Sequence, residues 1–181
     1  MNICVFCSSS NRIADHYKQS ALRLGEYIAE SGNTLVYGGA TGGLMDAVSE
    51  GAHNKNGNII GVLAQAIVRM KRQSLYPTEL FFVETMSERK DKMKALADVF
   101  VVLPGSYGTL DEMLDIIASG VVSEHKKQLI IVNEDHFYDH FLNQINHMRS
   151  ESFIPVEEMY KPLIVQDITH CIELINLSVK Q

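Results

Sequence analysis

Short β-branched and aliphatic runs alternate with stretches of helical periodicity along the whole chain. No other feature constrains the fold as much. Strands are predicted at Ile3–Phe6, Thr34–Tyr37, Ile59–Leu63, Leu80–Val83, Val99–Leu103, Leu129–Val132 and Leu163–Val165. These runs are short and continuous, as expected for parallel strands covered on both faces. Between the first two, Tyr17, Ala21, Leu24 and Ile28 recur every three or four residues, and Gly32 ends the helix. Helical patterns follow at Leu44–His53, Met86–Ala97, Leu110–Ser119, Phe137–Arg149 and Ile168–Leu177. Arg69–Pro77 is the least patterned stretch and reads as a mobile loop. Strand and helix in alternation imply right-handed βαβ units. The expected fold is α/β, one domain over residues 1–181: a doubly wound parallel sheet of about seven strands with helices on both faces. Ligands are expected beyond the carboxyl ends of the strands.

Charge and cysteine usage narrow the function classes. The net charge is −6 and no Lys/Arg-rich face stands out, which argues against a nucleic-acid backbone as partner. Cys4 and Cys7 form a C-x-x-C pair, but inside a strand-like run rather than at a helix start. With Cys171 far away, they read as small apolar residues in a reducing cytoplasm. The opening "MNICVF" lacks a basic start, and no apolar stretch approaches a membrane span. A cytoplasmic protein without membrane contact is therefore expected. His136 and His140 have the i, i+4 spacing of a zinc pair on one helix, beside Asp135 and Asp139. No glutamate follows the first histidine and no third ligand is marked, so no metal is expected.

Three strand exits carry small residues: Ser8, Ser9 and Ser10; then Gly38, Gly39, Thr41, Gly42 and Gly43; then "VVLPGSYGTLDEM", Val101–Met113. Glycines allow sharp turns and close approach to a ligand, and amides at a following helix N-terminus favour an anion. Neither the G-x-G-x-x-G fingerprint nor a Walker loop is present. Three such turns are expected to converge on one phosphate and its sugar. Thr109–Glu112 ("TLDE") also fits a capping box, as does Thr85–Glu88 ("TMSE"), and on pattern alone Glu112 is a cap. Beside a phosphate loop, its carboxylate could also reach the ribose. In the preceding helix Arg89 falls inside the apolar stripe of Met86, Met93, Leu96 and Ala97, where it needs a partner. Lys90 lies at the stripe's edge, while Lys92 and Lys94 read as solvated.

"PGSYGTLDE" resembles the P-G-G-x-G-T-x-x-E motif of the Lonely Guy (LOG) family, and "MSERK" resembles its M-x-x-R-K segment. "VFCSSS" and "VYGGATGGLM" match the family's other two loops, and the resemblance runs from Ile3 to about Leu177. It implies a Rossmann-like fold and cofactor-free hydrolysis of the N-glycosidic bond of adenine-type nucleoside 5′-monophosphates. The substrates would be cytokinin ribosides or AMP, and the products free base and ribose 5-phosphate. It also implies a homodimer with its active site near the interface. Carried onto this chain, the resemblance makes Arg89 and Glu112 catalytic. It places Gly105, Ser106, Tyr107, Gly108 and Thr109 around the phosphate, with Ser9, Gly39, Thr41 and Gly42 contributing and Lys90 bordering the substrate. The chain departs from the family pattern at Ser106 for glycine, Ser87 for histidine, Ala64 for proline, Lys71 for an acid, Ala118 for threonine and Ser119 for tryptophan.

Breaking a ribosyl C1′–N9 bond builds an oxocarbenium-like cation. A carboxylate can stabilise it and orient or deprotonate the attacking water, which is the role expected of Glu112. Arginine holds its proton too firmly for general acid work, so Arg89 is expected to stabilise charge and position the base or Glu112. Two rivals stand beside this reading. A nucleotide-binding module without catalysis draws on Ser106. A dinucleotide oxidoreductase is weakened by the missing fingerprint. For the helix after the glycine motif, the expected core stripe is Leu110, Met113, Leu114 and Ile117. Ile116, well round from it, is expected to face a second subunit.

Overall fold

A computed structural model describes residues 1–155, 157 and 160–178. The strands are β1 (Asn2–Phe6), β2 (Thr34–Tyr37), β3 (Asn58–Ala64), β4 (Glu79–Val83), β5 (Val99–Val102), β6 (Gln128–Val132) and β7 (Leu163–Val165). The helices are α1 (Asp15–Glu30), α2 (Gly43–Asn54), α3 (Gln65–Arg69), α4 (Met86–Leu96), α5 (Tyr107–Val121), α6 (Asp139–Ser150) and α7 (Ile168–Ser178). All strand pairings are parallel and the order is β4-β3-β2-β1-β5-β6-β7. Successive crossovers run outward from β1 to one edge, then return to β5 on its other side. The β1–β5 boundary is therefore the switch point where such sheets open a crevice.

Period-two alternation divides the core. Ile3 and Val5 join Leu35, Tyr37, Val99 and Val101 beneath α1, α2 and α7. Cys4 and Phe6 join Val36, Phe100 and Val102 on the opposite face, with Met93 of α4 and Met113 and Ile116 of α5. All three cysteines are buried and free, so Cys4 in β1 and Cys7 just beyond it serve as small core residues.

The predicted strands are all present. The α5 stripe is corrected: Met113 and Ile116 are buried, Leu114 is 44 % exposed, and Leu110 and Ile117 are half-covered. The tight α5–sheet contact centres on the line Thr109, Glu112, Met113, Ile116, Ser119 and Gly120. That line shares only Met113 with the expected stripe. The Arg69–Pro77 stretch is pinned rather than loose. Thr41 N donates to Arg72 O (2.7 Å), Ser74 N donates to Gly39 O (2.9 Å), and Ala40 bridges Gln73. The two histidines also part company. His136 lies in a 3₁₀ turn (Glu134–His136) with φ 60°, its Nδ1 3.1 Å from Asp139, while His140 belongs to α6.

Candidate functional site

A cleft of about 200 Å³ opens at the carboxyl ends of β1 and β5. Its walls include Cys7, Ser8 and Ser9 after β1, Arg72 from the loop before β4, Met86 and Arg89 of α4, and Ser106, Gly108, Thr109 and Glu112 at the start of α5.

At its floor lies an ion pair. Arg89 Nη1 donates to Glu112 Oε1 at 2.7 Å, and each residue is only 4 % exposed. Arg89 Nε donates to Val62 O of β3 at 2.9 Å, which fixes the guanidinium plane. Gly38 leaves the remaining space: a Cβ there would collide with Arg89 Nη2. Burial pushes the Glu112 carboxyl above its ordinary value, and the Arg89 charge pulls against that shift without cancelling it. The arrangement is a buried, oriented carboxylate and a fixed cation facing one small cavity.

The capping-box reading of Glu112 is corrected. Helix α5 starts at Tyr107, two residues before Thr109, so Glu112 belongs to its second turn and its carboxylate goes to Arg89. The other box forms in part: Glu88 N donates to Thr85 Oγ1 (3.1 Å), and Glu88 Oε2 accepts from Glu84 N, one residue before the cap. Along α4, Arg89, Met93 and Ala97 are buried as the stripe requires, but Met86 is 42 % exposed at the cleft. Lys94 is not free in solvent. Its ammonium lies 2.8 Å from Asp115, beside the Lys90–Asp111 pair at 2.9 Å, and Lys92 packs over Phe81. Thus α4 and α5 run side by side, joined by an outer network of Lys90 and Lys94 with Asp111 and Asp115 and by one inner ion pair.

The first turn of α5 forms another wall. Leu110 N closes the first turn of the helix onto Ser106 O at 2.9 Å, so the amides of Tyr107, Gly108 and Thr109 precede the helical ladder. Ser106 and Gly108 are exposed, and Tyr107 is almost wholly so. Ser106 adopts φ −107°, ψ −150°, ordinary extended backbone, so a residue with a Cβ fits there without strain. Gly105 is needed for packing, since a Cβ would strike the Thr109 side chain; at Gly108 it would meet open space.

The turn after β2 is different. Gly43 N donates to Asn11 Oδ1 (2.9 Å), Leu44 N and Met45 N donate to Ser8 O (2.9 and 3.3 Å), and Thr41 N donates to Arg72 O. Gly42 (φ 113°) and Gly43 (φ 52°) bring the backbone against the carbonyls of Ser9 and Ser10, where any Cβ would collide. Thr41 Oγ1 donates to Asp46 Oδ2 (2.9 Å). Gly39 (φ 66°) packs over Leu63 of β3. Of the candidate residues, the cleft therefore gathers Ser9, Ser106, Gly108, Thr109, Arg89 and Glu112. Gly39, Thr41 and Gly42 stand behind its wall, and Lys90 lies outside, held by Asp111. Gly38 and Arg72 were missed as individual site residues. The first had its signal in "YGG"; the second had none, because it sits in the unpatterned stretch.

Comparison with known proteins places the chain in a family. Residues 45–175 match the family model described as "Possible lysine decarboxylase". The cytokinin riboside 5′-monophosphate phosphoribohydrolase LOG of Oryza sativa subsp. japonica is 40 % identical over 152 residues, 84 % of this chain and 63 % of that protein. This chain thus spans less than two thirds of the rice protein's length. LOG2 of Arabidopsis thaliana, a phosphoribohydrolase of the same name, is 35 % identical over 84 % of this chain and 71 % of its own. Among solved structures, the molybdenum cofactor binding protein of Rippkaea orientalis superposes with a TM-score of 0.74. It covers 98 % of this chain and 96 % of its own at 23 % identity, a likeness of fold alone. With its Rossmann-like sheet, its "PGSYGTLDE" and "MSERK" segments joined in one buried pair, and these relatives, the chain belongs to the LOG family.

Proposed function

We propose that this protein hydrolyses the N-glycosidic bond of adenine-type nucleoside 5′-monophosphates, releasing free base and ribose 5-phosphate. The observation that carries the reading is the buried Arg89–Glu112 pair beside the open first turn of α5. The names of the rice and Arabidopsis relatives support the reaction class.

The free amides at the start of α5 hold the 5′-phosphate, with Gly105, Ser106, Tyr107, Gly108 and Thr109 shaping that turn and Ser9 facing it. Phosphate anchoring orients the ribose over Glu112 and restricts the sites of reaction. The ionised Glu112 carboxylate stabilises positive charge developing at C1′ and orients or deprotonates the water that attacks it. Arg89 holds that carboxylate in place and offsets negative charge on the departing purine. Gly42 lies against Ser9 O behind the Ser8–Ser10 segment, Gly39 packs over Leu63, Thr41 holds Arg72 and Asp46, and Lys90 fixes Asp111 at the rim. We further propose that two copies pair through the uncovered side of α5, where Leu114 is exposed and Leu110 and Ile117 are half-covered. A strictly monomeric mass at micromolar concentration would remove that part.

Incubation with a panel of nucleoside monophosphates, followed by chromatography for free base, tests the reaction. Release of adenine from AMP, with adenosine turned over far more slowly, is expected. Saturable AMP binding without base release would leave a binding module instead.

A further inference from the structure

The loop between α3 and β4 brings into the cleft a cation that the reaction described above does not use. Arg72 is half-buried and lines the cleft together with Ser9, Ser106 and Gly108. Its Nη2 donates to Ser9 O at 3.1 Å and to Thr41 O at 2.8 Å, which occupies both protons of that nitrogen. Its Nε and Nη1 protons have no protein acceptor among the described residues, and no described carboxylate pairs with its charge. Neighbouring cations behave otherwise: Arg89, Lys90 and Lys94 each hold an acid.

The support beneath Arg72 is rigid. Its carbonyl accepts from Thr41 N (2.7 Å), Ser74 N is tied to Gly39 O (2.9 Å), and Ser74 is 2 % exposed. Gln73 bridges Ala40. The guanidinium is thus presented from a fixed backbone with Nη2 committed to two carbonyls. Three of its five donors are left over, one on Nε and two on Nη1, on a positive charge held in place beside the cleft. A half-buried charge without a partner is costly, and an anionic ligand relieves that cost. The cleft is small, so an anion seated on the first turn of α5 lies close to every wall.

We propose that Arg72 is a second arm of the anion site, its charge and its Nη1 protons serving the phosphate of a bound phosphomonoester while Nη2 clips Ser9 to Thr41. For the identity of the ligand this rests on the reading under Proposed function, but it requires no turnover. Arg72 makes the site selective for a charged phosphomonoester over the neutral nucleoside. It does so from a loop independent of the glycine turn.

Calorimetry with ribose 5-phosphate and with adenosine tests this on the wild type, Arg72→Gln and Arg72→Lys. Glutamine can still donate to one of the two carbonyls but has no charge; lysine keeps the charge without the guanidinium that bonds both carbonyls and the ligand at once. Arg72→Gln should weaken ribose 5-phosphate about tenfold or more and leave adenosine within about twofold; Arg72→Lys should recover part of the loss. Equal weakening of both ligands would make Arg72 a structural clip only and overturn the proposal, as would unchanged affinity for ribose 5-phosphate. A wild type that does not bind ribose 5-phosphate overturns it too. A wild type that binds ribose 5-phosphate through Arg72 yet releases base from no nucleoside monophosphate would sink the hydrolase reading and uphold this one.

Discussion

Two glycine-rich turns leave the same sheet and meet different fates. After β2, the turn from Gly38 to Gly43 gives its amides to Asn11, Ser8 and Arg72, and two of its glycines exist to let the Ser9 and Ser10 carbonyls approach. After β5, the turn from Gly105 to Thr109 leaves its first helical amides ahead of the ladder and facing a cleft. Both look like phosphate loops in sequence. What separates them is the next loop along the sheet: β1 ends between them, and its Ser8–Asn11 segment folds onto the first. A glycine turn binds an anion only if no protein carbonyl reaches its amides first.

The strongest test of the contrast is at the acid beneath the open turn. Glu112→Gln should lower turnover about 10³-fold, within the range of lost general base catalysis. It should also lower the melting temperature, because Arg89 keeps a hydrogen-bond acceptor but loses its counter-charge in a buried site. Near-normal base release by chromatography would remove Glu112 from the chemistry.

Next comes Gly38→Ala, where the closed turn touches the buried Arg89–Glu112 pair. The added methyl displaces Arg89 Nη2, and a shift of about 1 Å can cost about 10² in rate. Full activity in that variant would mean that the position of Arg89 is not critical.

Proton linkage gives a smaller, directional effect. Burial raises the Glu112 value above its reference of 4.5. Stability from the protonated form is therefore complete below the unfolded value and is lost as pH rises through the folded one. On the proposed mechanism, which uses the carboxylate form, the acid limb of activity should accordingly lie above pH 4.5. In Arg89→Met the Glu112 titration, followed by NMR of the labelled carboxyl, should move higher still, because the charge that lowers it is gone. A downward move would contradict the assigned causes.

The finest comparison sets the two turns side by side. Asn11→Ala removes the acceptor for Gly43 N and should cost about 1 kcal/mol of stability with little change in turnover. Gly108→Ala adds a methyl that meets no protein atom, so the melting temperature should hold or rise while affinity for ribose 5-phosphate falls. The opposite pattern, seen by thermal melts and calorimetry, would exchange the roles of the two turns.

Much of the site was legible before any fold was available. Arg89 stood out because a charged residue occupied an apolar stripe, and the structure buries it on Glu112. Ser106 was not legible in this way: whether a side chain fits where the motif has glycine depends on the backbone conformation, and the backbone there is extended. On α5, Leu114 matched the helical period of the core residues yet faces outward. Periodicity names a stripe but not its centre when apolar residues cover more than half a helix.

By itself the sequence determined the order of strands and helices, the doubly wound parallel sheet and the buried cation at Arg89, while Glu112 was marked as more than a cap only by resemblance to a family. The first three follow from local periodicity and from the desolvation cost of a charge on an apolar face. Only the tertiary structure decided which glycine turn stays open, that Gly38 exists to admit Arg89, and that Arg72 reaches the same cleft from an unpatterned loop. Those facts depend on hydrogen bonds and contacts between residues more than thirty positions apart, as in the clip from Arg72 to Thr41 or from Asn11 to Gly43. No local pattern encodes which carbonyl will arrive at which amide.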